Sequence, residues 1–347
     1  MRILEQLKTF IKLLLLTSFS LICFVAKAQS DDTLTNRNEN EWIEAMNDKI
    51  ALDLSLNNSF ETFKIETATN NIILYPNIRT NCRFNLNYRF LSFGVQFAPD
   101  FIPGNNDEAT KGKTNSFELG TSLLFRHWNV DLSYSKLNGY YLENTNEYIP
   151  WKSGDSYIQF PELYYYCFAF TIGYSSNAKF SFRSITSQTE RQLRSTGSFV
   201  PCLNFRYYLI DDKSASTGTQ KSNNIELNLG PGYIYTFVIK GKFYMSLGLL
   251  VSIGYLHTKL TTRLSPVDVI SNQSNLILRG AGQAGIGYNG KSFYTGLYTT
   301  LAATKYKQEN TTVMNYDTKY LYHLFIGIRL NSPLFLEQLF SKIENIF

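Results

Sequence analysis

Ile78-Arg79-Thr80-Asn81-Cys82-Arg83-Phe84-Asn85-Leu86-Asn87-Tyr88-Arg89-Phe90 alternates without a break. From Ile78 every second residue is apolar or nearly so, and each residue between is Arg or Asn. A period of two over that length predicts a β-strand with two chemically opposite faces. Strands of soluble sandwiches alternate too, but usually for about 5–6 residues. Thirteen residues rising about 3.3 Å each and tilted by about 45° would cross roughly 30 Å, the hydrocarbon thickness of a bilayer.

The pattern recurs on both sides of this stretch. Upstream, Ile50–Leu56 and Phe60–Ile65 alternate around a turn signal at Asn57-Asn58. Downstream come Leu91–Ala98, Ser116–Phe125, Trp128–Leu137 and Leu163–Tyr174, then Lys179–Ile185 and Gly197–Ile210. The last group is Asn224–Val238, Phe243–His257, Ser274–Tyr288, Lys291–Ala303 and Thr318–Leu330. Asn289-Gly290 between two such runs is a strong hairpin signal. The count is twelve strands from Ile78, or fourteen with the two upstream runs. These runs predict an all-β fold, an antiparallel transmembrane β-barrel of twelve to fourteen strands over residues 49–331. Loop lengths sort cleanly onto two sides in the second half of the chain but come out reversed in the first, so one strand is missed or overcounted.

Composition agrees with this fold class. Charged residues make up 18% of the chain, against roughly 25% in ordinary globular domains. Aromatics reach 15%. The most apolar later stretch, Phe243–Leu256, is broken by Ser246, Gly248, Ser252 and Gly254 and is too short for a membrane helix. Residues 1–28 read as a cleaved signal peptide, with Arg2, Lys8 and Lys12, an apolar run Leu13–Ala26 and an Ala26-Lys27-Ala28 cleavage site. Residues 29–48 read as a periplasmic lead-in, where Trp42, Ile43 and Met46 could line a turn or two of helix. Residues 332–347 read as a C-terminal amphipathic helix opened by Ser332-Pro333. Without the signal peptide the net charge of +5 falls to about +2, and no Lys/Arg patch argues for nucleic acid. Cys82, Cys167 and Cys202 are isolated and lack metal-ligand spacing; they read as small apolar residues, with a Cys167–Cys202 bridge as an alternative.

Three pieces carry a family resemblance: Tyr75-Pro76-Asn77 before a long strand, Trp128–Tyr141 ending in Asn138-Gly139-Tyr140-Tyr141, and Lys179–Phe199. With these the chain resembles an uncharacterised family of Bacteroidota-type secreted or outer-membrane barrels, a domain of unknown function numbered 4421. The resemblance implies a secreted barrel and brings no reaction, cofactor or ligand with it.

Alternation assigns the lumen-lining charges. The basic ones are Arg79, Arg83, Arg89, Arg183, Arg206, Arg279, Lys319 and Arg329; the acidic ones are Glu118, Asp131 and Glu226. A ring of Arg and Lys favours anions in a pore. The same Arg residues paired with carboxylates would instead close a narrow barrel, because buried charge is costly unless paired. Thr186–Ser198 concentrates Gln188, Glu190, Arg191, Gln192 and Ser195 and reads as a loop folded into the barrel mouth. Enzyme signals are weak. There is no Gly-x-Ser-x-Gly, phosphate loop or metal motif, and His127, His257 and His323 are scattered. His323 on an inward face could serve a lipid hydrolase or acyltransferase, and Glu118 with Asp131 could form an acid pair.

The sequence thus predicts an outer-membrane barrel without cofactor or metal, in contact with outer-membrane lipid and with envelope proteins or small anions as further partners. It would be a narrow anion-leaning, porin-like pore or an envelope component with a plugged lumen. A barrel enzyme acting on lipid or envelope substrates and a soluble secreted β-protein are the alternatives.

Overall fold

The computed structural model describes residues 41–89, 91–124, 127–215, 218–309 and 311–344. The expected signal peptide lies outside the described residues.

The wall begins with β2 (Lys49–Glu66), preceded by a short β1 (Ile43–Ala45). There follow β3 (Asn71–Tyr75), β4 (Asn81–Tyr88), β5 (Leu91–Phe97), a one-turn α1 (Glu108–Lys111), β6 (Asn115–Leu124), β7 (Trp128–Leu142) and β8 (Gln159–Tyr174). The second half holds β9 (Glu190–Gln192), β10 (Thr196–Phe199), β11 (Cys202–Asp212), β12 (Gln220–Gly230) and β13 (Gly232–Ile239). It closes with β14 (Phe243–Thr262), β15 (Val269–Asn289), β16 (Phe293–Lys307), β17 (Met314–Asn331) and α2 (Leu334–Glu344).

All the pairings are antiparallel, and they close on themselves. The circuit runs β2-β3-β7-β8-β11-β12-β14-β15-β16-β17 and returns to β2, a closed barrel of ten strands. The first and last long strands make the closure, in register from Lys49↔Asn331 to Glu66↔Met314. β10 and β13 continue the lines of β11 and β12 past Val200-Pro201 and Pro231. Proline has no N–H to give a ladder, which explains the paired interruptions.

β4, β5 and β6 widen one end of this circuit. β4 pairs β2 and β5, and β6 pairs β7, but among the described residues no ladder joins β5 to β6. Counted around that wider end the wall holds twelve strands.

Three expectations change here. Ile50–Leu56 and Phe60–Ile65 are one continuous strand, and Asn57-Asn58 sits in its middle instead of turning. Asn57 pairs both His323 of β17 and Asn81 of β4, and two ladders outweigh a local turn preference. Lys179–Ile185 is not a strand: it folds into turns, with Ile185 and Thr186 N–H donating to Phe182 O. That one extra strand reversed the sidedness of everything before it. With it removed, both ends of the barrel chain and the tight turns at Arg89, Lys240-Gly241 and Gly290 lie at one end. The long connections 98–114, 143–158 and 263–268 lie at the other. Ile78–Phe90 is also shorter than expected, since the strand is Asn81–Tyr88 and residues 76–80 form a break between β3 and β4.

The faces obey strict alternation. Along β14, Leu247, Leu249, Val251 and Ile253 point outward, while Ser246, Ser252 and Thr258 are buried inside. Leu249 and Ile253 are each 73% exposed. Leu54, Leu119, Leu229, Leu278, Ile286, Leu301 and Ile326 extend this apolar outer band. A soluble monomer does not expose so large a contiguous apolar surface, whereas a barrel in lipid requires it. The tight hairpin from β13 to β14 uses positive φ at Lys240 and Gly241 (54° and 62°), which suits a primed turn. On α2, Leu334, Phe335 and Leu339 are exposed while Phe340 packs edge-on against Tyr88 at 4.8 Å. The three cysteines are free; Cys167 and Cys202 lie in different pairs of the β8–β11 ladder, so no bridge forms.

Ile253→Arg on the outer band is expected to destabilise the barrel in lipid vesicles by about 2–4 kcal/mol. Asp268→Arg in an exposed connection should stay within about 0.5 kcal/mol. Urea titration followed by the mobility shift of unheated samples would measure both.

Candidate functional site

Buried groups cross the lumen at two levels, with a cavity between them. The seal near the long connections starts from inward aromatic and aliphatic residues. Phe63, Tyr140, Tyr165, Tyr208, Leu256 and Ile277 meet in one buried cluster. Beside it Arg206 reaches across from β11. It bonds Glu61 of β2, donates to Asp317 of β17 at 2.7 Å and to Glu226 of β12 at 3.2 Å, and lies 4.9 Å from the Tyr208 ring. Tyr165 Oη donates to Glu61 at 2.6 Å, Asn228 donates to Glu226 at 2.6 Å, and Arg279 stands 3.7 Å from Glu226. Arg206 is 4% exposed and Glu226 1%. Charges so buried persist only when each finds opposite charge and hydrogen bonds, and one guanidinium with several donors can serve three carboxylates at once.

The other seal is the connection from β8 to β10. Residues 175–195 turn into the barrel instead of away from it. Phe180, Phe182 and Ile185 are buried with Leu124, Val200 and Ile234. Two buried arginines fasten the segment. Arg191 donates to Asn289 O and Gly241 O, each at 2.8 Å, and bonds Glu44. Arg329 donates to Gln188 O at 2.6 and 3.1 Å, to Asn289 Oδ1 at 2.6 Å, and to Gly290 O. β1 adds a small sheet, with Ile43↔Gln192, Glu44↔Arg191 and Ala45↔Glu190. Trp42–Met46 therefore forms an extended strap, not the expected helical turn, because the plug offers it a strand edge.

The predicted lumen charges sort into distinct places. Arg206, Arg279 and Glu226 belong to the charge knot, where Arg279 also donates to Thr304 at 2.9 Å. Arg83, Lys319, Glu118 and Asp131 line the cavity. Arg329 fastens the plug. Three assignments are corrected. Arg79 sits in the break before β4 and holds the 98–114 connection through Asn105 O at 2.9 and 3.1 Å and a salt bridge to Asp100. Arg89 lies in a tight turn, with φ of 51°, and donates to Asn47 O at 3.3 Å. Arg183 is part of the plug and donates to Leu124 O at 2.5 and 2.7 Å. Alternation misplaced them because each lies outside a strand.

The Thr186–Ser198 group is structural in its contacts. Gln188 has a positive φ of 57° and donates to Ile185 O at 3.0 Å. Glu190 accepts from Ser181 at 2.5 Å and pairs Arg183 at 3.3 Å. Gln192 donates to Lys179 O at 2.8 Å and Trp42 O at 3.0 Å. Ser195 Oγ accepts from Val238 N–H at 2.8 Å.

The cavity holds about 450 Å³ and is lined mainly by β2, β4, β6, β7 and β17, with Ser92 of β5, Tyr165 of β8, Tyr298 of β16 and Ile185–Ser187 of the plug completing it. Glu118 and Asp131 do not form an acid pair. They face Ser135 and Ser122 in the β6–β7 ladder, four residues apart, and Asp131 accepts from Ser122 at 2.5 Å and Asn129 at 3.1 Å. His323 lines the same space, its ring 5.3 Å from Phe325, with no hydrogen bond to a serine or carboxylate among the described residues. Sequence reading missed Glu61, Asp317 and Tyr165. Glu61 and Asp317 carry the right inward parity once β2 and β17 are given their full lengths.

Arg206→Ala leaves three buried carboxylates without their shared cation and is expected to cost about 3–5 kcal/mol. Arg206→Met combined with Glu61→Gln should recover much of that loss. The two urea midpoints compared with wild type decide it.

The fold is similar to outer-membrane protease OmpT from Escherichia coli, at 9% identity and a TM-score of 0.38, over 83% of this chain and 98% of that one. It is also similar to the translocator domain of autotransporter NalP from Neisseria meningitidis, at 6% identity and 0.27, over 79% and 88%. The attachment invasion locus protein Ail of Yersinia pestis is similar at 9% identity and 0.18, over 83% and 99%. No curated relative matches the chain. The model of a domain of unknown function, DUF4421, matches residues 32–329, and the chain belongs to that family.

Proposed function

We propose that this protein is a non-conducting barrel of the outer membrane, an envelope component whose lumen is sealed and encloses a polar cavity. The double seal carries the reading. The arginines inside the barrel are committed elsewhere: Arg206 to three carboxylates, Arg329 of the wall to the plug carbonyl of Gln188, and Arg191 of the plug to carbonyls of two wall turns. Committed charges of this kind hold a structure closed and leave little free field for a passing anion.

The apolar outer band supports residence in lipid, and the signal peptide read from residues 1–28 supports export. The end carrying the tight turns and both ends of the barrel chain corresponds to the periplasmic side, as bacterial barrels arrange short turns inside and long loops outside. On that side the strap Trp42–Met46 holds the plug, and α2 offers Leu334, Phe335 and Leu339 to the membrane surface. A hydrolase centred on His323 has less support, because among the described residues no hydrogen bond orients its ring as a base beside a nucleophile.

Refolded wild-type protein in a planar bilayer is expected to be silent. A variant with residues 178–189 replaced by a Gly-Ser bridge should remain silent, because the Phe63–Tyr208 layer still closes the lumen. Steps should appear only when that deletion is joined to Tyr165→Ala and Tyr208→Ala. Discrete anion-leaning steps from the wild type would refute the sealed lumen.

A further inference from the structure

We propose that the cavity is a lipid-binding site entered sideways from the bilayer, between β5 and β6, and that it receives a lipid whose headgroup carries a protonated primary amine. The inference rests on the barrel's placement in a membrane and goes beyond its sealed lumen.

The entrance follows from the backbone. In hydrocarbon every N–H and C=O must be paired, and unpaired edges are tolerated only where they line a polar space. Among the described residues β5 pairs only β4, and β6 pairs only β7, so two strand edges face each other without a ladder. Ser92 of β5 and Ser116, Glu118 and Ser122 of β6 all line the cavity. Glu118 and Gly120 point inward by register yet are exposed, as a wall residue is when its neighbouring strand stands off. On the outer face Phe117, Leu119 and Phe97 flank the gap and are exposed, so the opening interrupts the apolar band. The ends of the lumen are closed by the knot and the plug, which leaves the side as the way in.

The ligand class follows from charge and hydrogen bonding. Asp53, Glu61, Glu118 and Asp131 line the cavity against Arg83 and Lys319. With Glu61 taken up by Arg206, carboxylates still outnumber cations. Asp53 is held by Asn85 at 2.6 Å, Tyr294 at 3.1 Å and Asn87 at 3.2 Å, so this carboxylate is a fixed part of the wall. The Oδ1 atoms of Asn57 and Asn58, both in the lining, are buried with no hydrogen-bond partner. Buried acceptors without donors are costly. An ammonium group brings three donors and a positive charge into a space richer in acceptors and in negative charge. An acyl chain can remain in the bilayer through the β5–β6 gap while the headgroup occupies the cavity.

The test uses the full mature chain, refolded and delipidated in detergent, then offered an equimolar mixture of phosphatidylethanolamine and phosphatidylglycerol. Native mass spectrometry should show one retained phosphatidylethanolamine, favoured at least about fivefold over phosphatidylglycerol. Glu118→Gln with Asp131→Asn should abolish that preference while leaving the urea midpoint near wild type. For the entrance, Ser92→Cys and Ser122→Cys are placed in a background lacking Cys82, Cys167 and Cys202 and joined by a cleavable bis-maleimide. Uptake should stop when the link is made and return when it is cut. Equal binding of both lipids, or binding of neither, overturns the ligand class. Uptake that ignores the cross-link overturns the side entrance. A silent barrel that takes up no amine lipid would overturn this proposal and leave the sealed lumen standing.

Discussion

Closure of the β2–β17 ladder is the condition on which the rest of the molecule depends. It joins the first and last long strands of the chain from Lys49↔Asn331 to Glu66↔Met314 and converts a curled sheet into a wall without outer edges. An open sheet in lipid would expose two rows of backbone donors and acceptors, each costing several kcal/mol. Once the ring closes, inside and outside are defined for every strand, and alternation sends Leu249 and Ile253 to lipid and Ser252 to the lumen. The β5–β6 gap is informative because it departs from this rule.

A closed ring also forces its inward residues into one another's company. Glu61, Tyr165, Arg206, Glu226 and Asp317 come from five different strands and meet because the barrel is narrow enough for side chains to span it. None of them would be stable there alone. Their mutual pairing spans the lumen at one level, and Phe63, Tyr140 and Tyr208 are buried together beside it. At the other end the same problem is met with a loop. The plug carbonyl of Gln188 accepts from Arg329, which also bonds Asn289 Oδ1 and Gly290 O of the wall, so a wall charge satisfies part of the segment's backbone. Both seals thus use buried arginine, in one case against carboxylates and in the other against carbonyls.

The cavity between the seals has a different character. Its walls combine Asn, Ser and Thr and a few charges with apolar side chains such as Leu124, Leu137 and Leu321, and parts of its amide lining lack partners. Unpartnered buried polar atoms occur in all three layers, at Tyr140, Asn228 and Asp317 of the knot, Gln188 of the plug, and Asn57 and Asn58 of the cavity wall, and each costs stability that the rest of the fold must offset.

The fold class and most of the wall are legible in the residue pattern alone. Period-two alternation in runs such as Phe243–His257 and Thr318–Leu330 requires a strand with one apolar and one polar face, whatever it packs against. It also marked Arg206, Arg279, Lys319 and Glu226 as inward, because parity within a strand is a local property. The tertiary structure alone decided which inward groups meet. Asp317 reaches Arg206 across 111 residues and Glu61 reaches it across 145, contacts that depend on barrel circumference and register. It decided that Lys179–Ile185 turns inward, since Phe180 and Phe182 alternate as a lipid-facing strand would but are buried in the lumen. It decided that Asn57-Asn58 stays extended, because ladders on both sides outweigh a turn preference. Local periodicity records which way a side chain points, and only the closed ring fixes what it finds there.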